Sequence, residues 1–270
     1  MSYSIDQWLI FFFIYSLFGW IWETSLVSIR SKKWVNRGFL FGPWIPIYGF
    51  GAVIILHLTL GVRDNLALIF IYGMIGASVL EYITGYFMEK IFKVRYWDYS
   101  DKKINLNGYI CLLASLCWGA FSILLVRVFH RPVEDFVLKI PSKIIDTFSH
   151  ILLSAFAVDS AISIKSALDL RSILEEFKEN SVVLNSINEK IMKLNKDLSE
   201  GINDLSELKE KLSLEEFKLD DLSKKLNSRL QNLSKKHPTA YFKDQALSIK
   251  EFRENLKEKK VNIIEKIKGE

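Results

Sequence analysis

Three carboxylates stand where an apolar sequence does not normally tolerate charge: Glu23, Glu81 and Asp159. Each is embedded in a predominantly apolar segment. Each also precedes a basic residue by a similar interval, with Arg30, Lys90 and Lys165 seven, nine and six positions on. At ~1.5 Å per helical residue the three carboxylates share one layer, roughly 9–14 Å inside a common boundary. Charge at that depth usually lines a protein interior or a water-filled cavity. Such a layer could bind a cation, a proton or a basic group of a substrate. Glu81 further belongs to a stripe of Gly73, Ala77, Glu81, Gly85 and Glu89, spaced by four. Small residues so spaced let a second helix approach closely, and the carboxylates would face that same junction.

Two segments could supply further contacts. Residues 37–51, RGFLFGPWIPIYGFG, hold four Gly and two Pro among aromatics, so no regular helix is expected before Pro46. Non-helical backbone at membrane depth persists only where it is buried in protein or lines a cavity, which makes Arg37, Gly42, Pro43 and Tyr48 candidate substrate contacts. Residues 93–113, KVRYWDYSDKKINLNGYICLL, add Trp97, Asp98 and Asn107. Asn107 is equally placed to cap the helix that follows. Glu81, Glu89 and Asp98 are also the carboxylates that Mg²⁺-assisted chemistry on a lipid headgroup would need. Cys111 and Cys117 are six apart, on opposite faces of a helix, so neither a disulfide nor a CxxC metal site is expected. No cofactor is indicated.

The elements that must position these residues follow from composition. Residues 1–169 carry 15 Lys/Arg and 12 Asp/Glu, whereas residues 170–270 carry 21 and 19. The first part is too apolar for a water-facing surface, and the second is too charged to build a large core. Two domains are expected, 1–168 in the membrane and 169–270 outside it. Five spans are predicted, at about 5–29, 44–61, 65–89, 108–129 and 142–165. Lys and Arg crowd into loops 30–43 and 90–107, which puts those loops in the cytoplasm, the N-terminus outside and the tail inside. In the tail, Leu184, Ile187, Ile191, Leu194, Leu198, Leu205, Leu208 and Leu212 keep heptad spacing. A second amphipathic helix is expected at about 240–267, after His237-Pro238. The fold class is therefore all-α, a polytopic membrane helix bundle with a C-terminal cytoplasmic coiled coil or helical hairpin. A net charge of +5, split nearly evenly, gives no reason to expect nucleic acid.

The stretches GFLFGPWIPIYGFGA at 38–52 and EYITGYFMEKIFKVRYWDYSDKKINLNGYICLLASLCWGAF at 81–121 carry a recognisable pattern. Through the GPxxPxYGFG block, the MEK helix, the WDYS turn and the NxNGxICL entry, residues 5–165 resemble the ABC-transporter type IV, or CmpB-like, membrane protein family. Tyr109 stands where the resemblance leads one to expect Arg. The resemblance implies a transporter-like or permease-like component of the cell membrane, in contact with lipid. Nothing in the sequence matches GxxxxGK[ST], so ATP-driven transport would need a separate ATPase. Five spans make a small pathway, so a homo-oligomer or a partner subunit is expected. Two other readings stand beside it: a membrane-anchored scaffold or sensor presenting its coiled coil, and a membrane-embedded lipid-headgroup enzyme.

Overall fold

The computed structural model describes residues 3–199, Ser228 and the residue pairs 241–242 and 247–248. The chain divides into two compact units, Met1–Lys165 and Ser166–Glu270. In the first unit α1 (Ile5–Ser31) opens on a capping box, in which the Ser4 hydroxyl accepts from the Gln7 amide and the Gln7 side chain accepts from Ser4 N–H. Helix α2 (Pro46–Thr59) ends in a 3₁₀ turn, Leu60–Val62. Helix α3 (Leu66–Phe92) is capped by Asn65. After a strand pair, β1 (Asn105–Leu106) and β2 (Ile110–Cys111), helix α4 (Leu112–Leu124) passes through a π-helical stretch, Leu125–Phe129, into α5 (His130–Lys139). Ile140 and Pro141 then break the chain before α6 (Ser142–Ser199).

The chain is mostly helical, and four helical stretches are long and apolar enough to cross a membrane: Ile5–Ser31, Leu66–Phe92, Leu112–Lys139 and Ser142–Asp169. The expected second span is the exception, because Pro46–Val62 is a shorter apolar helix. The reason is the Gly/Pro segment before it. The Ile45 amide donates to Ser16 O at 3.0 Å, near the middle of α1. The chain therefore returns about halfway along α1 as non-helical backbone before α2 begins, at Pro46 as its composition predicts. A fourth span starting at 108 is corrected as well. Asn107 (φ 55°) and Gly108 (φ 73°) occupy the centre of a turn closed by the Tyr109 amide on Leu106 O. Two successive left-handed residues give the turn that matches strand twist, so residues 105–111 form a hairpin. Asn107 does not cap α4. Cys111 does, its Sγ accepting from the Ala114 amide at 3.5 Å. Residues 130–139, expected as loop, are helix.

Helices α1 and α2, α2 and α3, and α3 and α4 pack as successive neighbours. Apolar burial does not drive helices together inside lipid, so close approach at small residues matters more. Gly19 admits the Tyr48 ring, Gly73 admits Ser122, and Gly119 admits Phe70. Gly49 lies against Ser16 and Phe12. An apolar cluster of Phe11, Ile55, Leu56, Ile69, Val126, Val137 and Ile145 fills the bundle toward the end where α1 begins, here the near end. Helix α6 joins through Phe156, which meets Phe12, Phe13 and Trp44 edge-on.

In the second unit α6 remains helical to Ser199. The seam residues from Leu205 onward lie outside the described residues. Tyr241–Phe242 pairs antiparallel with Leu247–Ser248, so the helix expected from about 240 is replaced there by strands. Tyr and Phe favour extended backbone.

Candidate functional site

Glu23 and Glu81 both reach the far end of one cavity, each through a phenol. The Tyr48 hydroxyl donates to Glu23 Oε1 at 2.6 Å. Arg37 Nε lies 3.6 Å from Glu23 Oε2 and is steadied by a bond from Arg37 Nη2 to Tyr96 O at 3.1 Å. On the α3 side, the Tyr99 hydroxyl donates to Glu81 Oε1 at 3.1 Å and Trp118 Nε1 donates to Glu81 Oε2 at 2.8 Å. Glu81 is 5% exposed, and no basic side chain pairs with it among the described residues. Burial first, and then the Glu81 carboxylate, push the Tyr99 phenol up, so it stays protonated and keeps donating. Tyr48, Tyr99 and Trp118 all line a cavity of about 840 Å³ between α1, α2 and α4. Its walls are otherwise apolar, with Phe18, Ile21, Phe121 and Leu124 among them, and Tyr15 and Phe129 stand at its near end.

Asp159 serves a different place. Its carboxylate accepts from the Phe41 amide at 3.1 Å, the Gly42 amide at 2.8 Å and Trp44 Nε1 at 2.8 Å. It therefore fastens the Gly/Pro segment to α6 and does not join Glu23 and Glu81 at the cavity. A side chain at Gly42 would collide with Asp159 and Trp44, which accounts for glycine there. Pro43 is exposed.

Glu89, Asp98 and Asn107 gather around Arg95 rather than at the cavity. Arg95 donates from Nε to Glu89 at 2.6 Å, from Nη1 to Asp98 at 2.8 Å and from Nη2 to Asn107 O at 3.0 Å. Its guanidinium lies 4.6 Å from the centre of the Tyr109 ring, so the position where Arg was expected instead offers an aromatic face to a neighbouring arginine. Trp97 Nε1 donates to Tyr109 O at 3.0 Å, and Asn107 Nδ2 to the Tyr82 hydroxyl at 3.0 Å. These bonds hold the hairpin against α3, where Gly85 leaves room for Tyr109 and Trp97.

Burial acts on the Asp98 carboxyl upward, but bonds from the Ser100 hydroxyl and amide, with Arg95, outweigh it and hold the group below its ordinary value. A carboxylate lowered in the folded state adds stability that is complete above its unfolded value, about pH 4. That contribution is lost as pH falls through the lowered folded value. Acid titration followed by near-ultraviolet circular dichroism should show a step below pH 4 that Asp98→Asn removes.

A second polar cluster closes the near end. His130 lies between the Tyr15 hydroxyl, 2.9 Å from Nδ1, and the Tyr3 hydroxyl, 3.2 Å from Nε2. Tyr3 also donates to Glu134, which Arg63 Nη1 meets at 3.2 Å. His130 is 1% exposed and Glu134 7%. Sequence reasoning missed this cluster, because residues 130–135 read as a charged loop. The only hint was the Arg63-Asp64 pair, the lone charges between the second and third apolar segments.

Residues 10–164 match a family model described as "Putative ABC-transporter type IV". No curated protein and no solved structure matches the chain.

Proposed function

This chain belongs to the ABC-transporter type IV family, and from that premise we propose that it is the membrane subunit of a transporter whose ligand enters sideways from the bilayer. The ligand occupies the cavity between α1, α2 and α4 and meets Glu23 and Glu81 through Tyr48, Tyr99 and Trp118. The cavity itself carries this reading: about 840 Å³ lies within the roughly 300–1,000 Å³ usual for small-molecule sites. A mostly apolar wall with a few convergent polar groups is also what such sites present. The crowding of Lys and Arg into loops 30–43 and 90–107 supports a cytoplasmic far end. In that orientation α2 and the folded-back segment before it together make a fifth, discontinuous crossing, an arrangement transporters use to bring backbone to a midplane site.

Glu89 and Asp98 are both engaged by Arg95, which favours this reading over metal-assisted headgroup chemistry. Driving force comes from a separate ATPase subunit. Affinity purification of the full chain from native membranes in mild detergent tests this directly. A protein with a phosphate-binding loop should co-purify in stoichiometric amount. Recovery of this chain with only itself or a coiled-coil partner would overturn the transporter reading and favour the scaffold.

A further inference from the structure

We infer that the cavity selects an ammonium group carried on an apolar chain, with the ammonium held at the Tyr48–Trp118–Tyr99 end. The inference rests on the cavity being the ligand site and adds the chemical class of the ligand. The first observation concerns protons. Tyr48 donates its hydroxyl proton to Glu23, while Tyr99 and Trp118 donate theirs to Glu81. The phenols therefore offer a ligand only oxygen lone pairs, and Trp118 offers only its ring face. A phosphate, carboxylate or sulfate head would find no donor among these three groups and would lie against two carboxylates. A group that donates, or is simply positive, meets acceptors.

The second observation concerns charge. Among the described residues Arg37 approaches Glu23, whereas Glu81 is held by two neutral donors, Tyr99 and Trp118. The polar end thus brings two carboxyl groups together with one cation among those residues. Charge buried in a poorly polarisable site is costly unless it is compensated, and a bound ammonium would compensate it across the two donors.

The third is aromatic. The Tyr48 and Trp118 rings lie 5.8 Å apart at 59°, and both line the cavity. Aromatic rings lining a site attract cations, quaternary ammonium above all. Beyond them the wall is apolar as far as Phe129, which suits an alkyl chain and offers nothing to a hydrated metal ion. Proton direction, charge and ring faces at this one end each point to the same ligand class.

The test uses the full chain in phosphatidylglycerol vesicles with a photoreactive alkyltrimethylammonium carrying a diazirine in its chain. Crosslinks mapped by mass spectrometry should fall in α1 around residues 18–22 and in α4 around 114–125. Dodecyltrimethylammonium should compete at about one-tenth the concentration needed for dodecanol or laurate, and Glu81→Gln should erase that preference. Equal potency of the three competitors on the wild-type chain would overturn the ammonium assignment while the cavity stood as a binding site. Absence of saturable crosslinking at these segments would overturn the cavity reading as well. A parallel set with phosphatidylethanolamine identifies the source: crosslinking lowered there before any competitor is added assigns the ammonium to a bilayer headgroup, and unchanged crosslinking assigns it to a free amphiphile.

Discussion

Replacing Arg95 with Ala is expected to destabilise the protein by about 3–5 kcal/mol, the usual consequence of removing one partner from a buried ion pair. Arg95 is 3% exposed and meets two carboxylates, a backbone carbonyl and an aromatic face at once. Without it, Glu89 and Asp98 lose the cation they share, and the hairpin loses the group that ties it to the end of α3. Arg95→Lys should recover only part of the loss, since an ammonium cannot present the planar fork that reaches Glu89, Asp98 and Asn107 together. Unfolding in mixed micelles of increasing denaturing-detergent fraction would measure both. Stability within 1 kcal/mol of wild type in Arg95→Ala would show that the hairpin is held some other way.

The second large effect is expected at Gly49. A Cβ there would lie 2.2 Å from Ser16 Oγ and 2.6 Å from Phe12 O. The second contact is backbone, so no rotamer change relieves it and α1 must move away from α2. Overpacking of this kind costs about 1–3 kcal/mol. Because Tyr48 adjoins Gly49, the Tyr48–Glu23 bond should also loosen, and Gly49→Ala should impair ligand capture beyond its effect on stability. Gly61→Ala is the matched control, since a Cβ at that position meets nothing within 4 Å. Comparing the melting of the two variants, with crosslinking of the alkylammonium probe as a second readout, checks both parts.

Sequence reasoning reached some of this arrangement and not the rest, for identifiable reasons. The four-residue spacing of Gly73, Ala77, Glu81, Gly85 and Glu89 marks a helix face; the first four are buried on α3, along with Ile69 and Phe92, while Glu89 at the end of the stripe is half-buried. The density of Gly and Pro before Pro46 placed the start of α2, but composition does not show that the non-helical residues before it fold back along α1. Spacing to flanking Lys and Arg leads to one expected layer for Glu23, Glu81 and Asp159, but it carries no direction around the helix axis, and it is direction that turns Asp159 toward the Gly42 amide and Glu81 toward Trp118. The hairpin escaped notice because Asn107-Gly108 stands before a long apolar run, where it reads as a helix start. Tyr99 and Trp118 were visible as residues, but their roles depend on contacts across 18 and 37 positions.

The π-helical stretch Leu125–Phe129 has a bearing on how this chain can change. Its last bond runs from the His130 amide to Leu125 O, five residues back, so the helix holds one residue more than an α-helix would over the same turn. Each residue turns an α-helix by about 100°. Removing one residue from a regular turn of α4 would swing everything beyond it through that angle and carry His130 and Glu134 away from Tyr15, Tyr3 and Arg63. Removing one from the π stretch would instead restore ordinary α-helix over the same length and leave those contacts close to where they are. The surplus residue makes this the place where the chain can give up a position at least cost, while a deletion one turn earlier should dismantle the near end.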